Sequence, residues 1–87
     1  MEIEYTPLAK EHREYWKKSG NLAVQKKISA LIEDIIKHPY EGVGKVEELK
    51  YELTGKWSRR ITQEHRIVYE IKEDNVLLIS RLKGHYN

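Results

Sequence analysis

Apolar and polar positions along this chain follow two different periods, and the change falls near its middle. Met1 to Tyr5 alternates residue by residue, Ile3 and Tyr5 against Glu2 and Glu4, which predicts a short strand. Thr6-Pro7 then reads as a helix start, a threonine cap followed by proline at the first helical position, where a missing N–H costs nothing. Leu8, His12, Tyr15 and Trp16 recur at helical spacing until Ser19-Gly20 ends the run. Asn21 can cap a second helix with Val24, Ile28, Leu31, Ile32 and Ile35 on one face and Gln25, Lys26, Ser29 and Glu33 on the other. Pro39 stops that helix at His38, because the residue before a proline is pushed out of the helical region. Pro39 to Lys45, with Gly42 and Gly44, reads as a mobile loop.

From Leu49 onward the period is two. Strands are predicted near Leu49 to Leu53, Trp57 to Thr62, Arg66 to Ile71 and Val76 to Leu82, with turns at Gly55, at Gln63-Glu64-His65 and at Glu73-Asp74-Asn75. Two helices followed by a meander imply an α+β fold, with both helices packed on one face of a small antiparallel β-sheet and the other face open. The 87 residues fit a single domain, 1–87, with no linker or repeat. A chain this short buries only about 60% of the surface its unfolded form exposes, so a partner would add useful stability.

Composition narrows the chemistry. The absence of cysteine excludes disulfides, thiolate metal sites and a cysteine nucleophile, and it suits a reducing cytoplasm. No leading apolar stretch resembles a signal peptide and no run of about 18 apolar residues could span a membrane, so the chain reads as soluble and cytoplasmic with no membrane partner. No P-loop, dinucleotide fingerprint, HExxH or Cys/His metal spacing is present, and neither a cofactor nor a metal is expected. The net charge of +2 is too small to argue for nucleic acid by itself. Its distribution says more: residues 1–44 are neutral, and three acids of the second half, Glu70, Glu73 and Asp74, gather at one predicted turn, leaving the stretch from Lys45 to Arg66 locally basic.

The segment Gly55 to Ile71, GKWSRRITQEHRIVYEI, places Lys56, Arg59, Arg60, His65 and Arg66 in one hairpin. Alternation puts Trp57, Arg59 and Ile61 on one face and Ser58, Arg60 and Thr62 on the other, so one of the two adjacent arginines faces outward. Ile67, Tyr69 and Ile71 supply the helix-facing set of the next strand, which turns Arg66 to the open side as the floor of a cleft. Guanidinium offers a rigid fork of donors that matches two phosphate oxygens. Cross-strand pairing with Glu64 or Glu70 is the plain alternative for these arginines. Trp57 is first a core residue and second a groove edge.

RNA can be cleaved by its own 2′-hydroxyl if a protein removes that proton, stabilises the crowded phosphorane and protonates the departing 5′ oxygen. Glu47, of the pair Glu47-Glu48, is the candidate base; His85 is the candidate acid, since imidazole titrates near neutrality. Tyr86 could stack on an unpaired base. His12, His38 and His65 read as structural or solvated.

On the residues WKKSG, HPYEGVGKVEELK, LTGKWSRRITQEHRIVYEI and the closing HY, the chain resembles the YoeB/Txe toxins of bacterial type II toxin–antitoxin modules, a branch of the RelE superfamily. The resemblance covers essentially the whole length. It implies a RelE-like fold related to microbial ribonucleases and a ribosome-dependent endoribonuclease that cuts mRNA in the A site. It also implies a homodimer, with the 70S ribosome and mRNA as targets and a cognate YefM-like antitoxin as inhibitor. Carried over by position, the base falls on Glu47, the phosphate-stabilising arginine on Arg66, the acid on His85 and a substrate-orienting tyrosine on Tyr86. Lys50 and Arg60 match basic positions that support RNA or ribosome contact, and Lys45, Arg59 and Trp57 complete the expected RNA-facing set. Val46 and Glu48 stand where familiar members carry prolines, and Asn87 extends one residue past the tyrosine. Two other readings share the fold: a non-enzymatic toxin resembling the ParE branch that inhibits DNA gyrase, and a ribosome-binding module that cuts nothing.

Overall fold

The computed structural model describes residues 1–85. Strand β1 (Glu2–Tyr5) leads into helix α1 (Pro7–Ser19), whose start is capped as its sequence predicts: the Thr6 hydroxyl accepts the Ala9 N–H at 3.2 Å. Gly20 closes that helix in the left-handed region, φ 71°, where a side chain would be strained. Asn21 caps helix α2 (Leu22–Lys37) through Val24 N–H at 3.1 Å, and the helix ends at His38 before Pro39. Of its apolar stripe, Val24, Ile28, Leu31 and Ile35 are buried.

Four further strands follow: β2 (Glu47–Glu48), β3 (Trp57–Arg60), β4 (Arg66–Lys72) and β5 (Val76–Arg81), in the spatial order β1-β5-β4-β3-β2. Both helices lie on one face, where Trp16, Val24, Ile28, Leu31 and Ile35 pack against Ile61, Ile67, Tyr69, Leu77, Ile79 and Leu82. The α+β architecture is the one expected. Among the described residues, no helix is long and apolar enough to cross a membrane.

Two expectations are corrected. The sheet is not wholly antiparallel, because β1 pairs with β5 in parallel. The helices carry the chain across the sheet to its far edge, and three antiparallel steps back from β2 bring β5 beside β1 pointing the same way. Residues Leu49 to Leu53 do not form a strand either. Glu47 and Glu48 pair with Ser58 and Trp57, one further bond joins Leu49 N–H to Lys56 at 2.9 Å, and the residues between must close the hairpin. They do so through a 3₁₀ turn, Tyr51–Leu53, in which the Thr54 hydroxyl donates to the Tyr51 carbonyl at 2.7 Å. Asp74 and Asn75, both at positive φ, make the β4–β5 turn, as suits residues whose short polar side chains tolerate that region.

Candidate active site

On the face of the sheet away from the helices, a cleft of about 230 Å³ is lined by Lys45, Glu47, Ser58, Arg60, Arg66 and His85. The ladder builds most of it. Glu47 on β2 lies opposite Ser58 on β3, and Arg60 at the end of β3 lies opposite Arg66 at the start of β4. Ser58 and Arg60 are two residues apart and therefore share a face. Lys45 comes from the loop before β2, and His85 from the segment after β5.

The cleft is cationic, and its arginines are held differently. Arg66 donates from one terminal nitrogen, Nη1, to the carbonyls of Thr62, Gln63 and His65 at 2.9, 3.1 and 3.1 Å, which fixes its head against the β3–β4 turn. Arg60 receives a backbone tie instead, its N–H donating to Gly44 at 2.6 Å. Its side-chain Nε is buried with no hydrogen-bond partner among the described residues. A buried charged donor left unmatched is costly, and an anion entering the cleft would relieve it.

Arg59 does not belong to this site, which corrects the expectation that it touches RNA. Its side chain is fully buried on the helix side of the sheet, and all five of its N–H donors are engaged. Nε donates to the Tyr69 hydroxyl at 3.2 Å, Nη1 to Asp34 and to the Val43 carbonyl, and Nη2 to the carbonyls of His38 and Glu41. The Tyr69 hydroxyl in turn donates to the Pro39 carbonyl at 2.6 Å. The segment from Pro39 to Lys45, expected to be a mobile loop, is therefore wrapped with His38 around a guanidinium. Gly42 makes the wrap possible: its φ is +120°, and a Cβ there would lie 2.1 Å from the Asp34 carboxylate.

Electrostatics follow from the same contacts. The hydrogen bond from Arg59 holds the Asp34 carboxyl below its ordinary range, despite an opposing effect of burial. Burial is the main cause that pushes the Tyr69 hydroxyl upward.

The remaining expected residues divide. Trp57 is half-buried on the Arg59 side, against the core and 4.8 Å from the Tyr40 ring, so it does not edge the cleft. Lys50 is exposed past the end of β2 and is not part of the lining. Tyr86 lies outside the described residues. Ser58 lines the cleft although nothing singled it out; its place two residues before Arg60 was the available signal.

The family model for YoeB-like toxins of bacterial type II toxin–antitoxin systems matches residues 5–86. The chain belongs to the YoeB family. Toxin YoeB of Escherichia coli (strain K12) is 50% identical over 72 residues, 83% of each chain. Among solved YoeB relatives, a YoeB/ParE toxin from Agrobacterium tumefaciens superposes with a TM-score of 0.94 at 34% identity, covering 99% of this chain and 100% of that one. Staphylococcus aureus YoeB has been solved as a dimer, with a TM-score of 0.89, and in a heterotetrameric complex with YefM, with a TM-score of 0.88. Each is 40% identical and covers 99% of this chain and 98% of its own. YoeB membership agrees with the expectation drawn from the sequence blocks.

Proposed function

We propose that this protein is a ribosome-dependent endoribonuclease toxin that cleaves mRNA in the ribosomal A site without a metal ion. The observation that carries this reading is the convergence of a carboxylate, two guanidiniums, an ammonium and an imidazole on one cleft, from backbone separated by up to 40 positions. In the reaction, Glu47 takes the proton of the 2′-hydroxyl, and the 2′ oxygen attacks the adjacent phosphorus. Arg66 and Arg60, with Lys45, stabilise the charge that gathers on the phosphorane oxygens. His85 gives a proton to the 5′ oxygen as its bond to phosphorus breaks, leaving a 2′,3′-cyclic phosphate and a free 5′-hydroxyl. Tyr86 orients the substrate, and Lys50, at the edge of the basic surface, supports ribosome contact.

The partners follow from likeness. The S. aureus relative has been solved as a dimer and with YefM; by that likeness this toxin forms a homodimer and is neutralised by a cognate YefM-like antitoxin. The ribosome as target places it in the cytoplasm.

The test compares wild type with His85→Ala and Arg66→Ala on programmed ribosomes, mapping new 5′ ends of the mRNA. Each variant should cleave about 100-fold or more slowly. Undiminished cleavage in both removes the assignment. New termini absent even from wild type, with gyrase supercoiling blocked in a purified reaction, would favour the non-enzymatic reading.

A further inference from the structure

Past Arg81 the chain leaves β5, and residues 82–84 are held mainly by side chains, with one backbone bond to the start of β4. Leu82 has both backbone polar groups taken by α1: its N–H donates to His12 Nδ1 at 3.0 Å, and its carbonyl accepts from Trp16 Nε1 at 2.8 Å. His12 and Trp16 are four residues apart and so share one face of that helix. Gly84 is held from the β3–β4 turn: its N–H donates to His65 Nδ1 at 2.8 Å, and its carbonyl accepts from the Arg66 N–H at 3.1 Å. The Trp16 ring stands edge-on to the His65 ring, with centroids 4.9 Å apart, so the cradle is one packed unit. Gly84 then turns the chain at φ 76° and delivers His85 to the cleft.

An imidazole that accepts at Nδ1 must be neutral, with its proton on Nε2. Protonation replaces the lone pair by a second donor, which then meets the amide N–H head-on. We propose that His12 and His65 are positioning residues that hold His85 in the cleft through Leu82 and Gly84, and that they do so only as neutral imidazoles. The proposal rests on the reading of His85 as the acid. Acidification therefore loosens the segment that carries the acid before it unfolds the domain.

The charges around the pair fit this role. Arg81 at the end of β5 and Lys83 on the tail both oppose protonation of His12, as does His65, while Glu11 on α1 favours it. Burial is the largest influence and also lowers the His12 pKa from its ordinary 6.5. His65 has Glu64 and Arg66 as its neighbours in sequence, Arg66 Nη1 donating to the His65 carbonyl, and it faces His12 across the cradle. For His12 the sign is clear. A folded pKa below the unfolded value adds stability that is complete above about pH 6.5 and is lost as pH falls through the folded value.

Two measurements test the clamp. In ¹⁵N-labelled full-length wild type titrated from pH 8 to 5, the Leu82 and Gly84 amide signals should move together with the imidazole nitrogens of His12 and His65. Amides that ignore those titrations overturn the proposal, and this readout does not depend on any nuclease activity. Cleavage on programmed ribosomes is then compared for Ala and Asn at each histidine, since Asn Oδ1 stands near the place of Nδ1 and cannot be protonated. The Ala variants should lose about 10- to 100-fold at pH 7.5 through misplacement of His85, and Asn should restore much of it. The ratio of rates at pH 5.5 and pH 7.5 should rise in the Asn variants over wild type. Any other effect of pH on the reaction is common to wild type and variants, so an unchanged ratio in both Asn variants also overturns the clamp. Should a variant fail to fold, the wild-type amide titration decides alone.

Discussion

Arg59 and Asp34 form an ion pair that joins the last turns of α2 to the strand beside the cleft. Its neighbour Arg60 lies on the opposite side of the same strand, with a buried Nε that has no hydrogen-bond partner among the described residues. Arg59 folds a loop, whereas the proposed function gives Arg60 the task of meeting an anion, and substitutions should separate the two.

Arg59→Ala leaves Asp34, three loop carbonyls and the Tyr69 hydroxyl without their donor. Each buried acceptor left without a donor, the Tyr69 hydroxyl among them, costs about 1–3 kcal/mol, and the unfolding midpoint in urea should fall accordingly. Arg59→Lys should recover little, because one ammonium with three donors cannot reach acceptors spread around a planar fork.

Arg60→Ala should behave in the opposite way. Urea stability should change by less than about 1 kcal/mol, since a buried donor with no partner among the described residues is removed. Affinity for RNA should weaken, and the slope of log affinity against log salt should become shallower by about one. A large stability loss with unaltered salt slope would contradict the assignment.

Gly42→Ala places a methyl 2.1 Å from the Asp34 carboxylate at φ +120°. The expected loss is about 1–3 kcal/mol of stability, read by thermal melting, together with slower cleavage because the displaced loop carries Lys45 and leads to Glu47. At Gly20 a Cβ would meet nothing, so Gly20→Ala should cost only the left-handed strain of about 1–2 kcal/mol.

Acid stability should report the Asp34 pair. Its carboxyl is held below the ordinary 3.8 by the Arg59 hydrogen bond, so the contribution is complete above the unfolded value and disappears as pH falls through the folded one. The stability difference between wild type and Asp34→Asn should therefore be flat from about pH 7 to 5 and should shrink below about pH 4. Unfolding curves across that range check it.

Much of the fold was legible because its signals are local. Caps, the helical stripe of α2, the proline stop and the turns each depend on residues within a few positions of one another, and each stands where the chain predicts. Alternation also said that Arg59 and Arg60 face opposite ways. It could not say which turns inward, because an arginine enters a core only where enough acceptors surround it, and those come from residues 34 to 43 and 69.

The same limit governs the rest. The parallel pairing of β1 and the shortening of the Leu49 to Leu53 stretch depend on where the helices deliver the chain. His12 and His65 gave no local sign of a shared task, since their acceptor nitrogens serve amides 70 and 19 positions away. Residue types and periods determined the layers and offered Glu47, Arg66 and His85 as candidates. Only the tertiary structure decided that they share one cleft and what holds them there, because hydrogen bonds and burial act through space and leave no period in the chain.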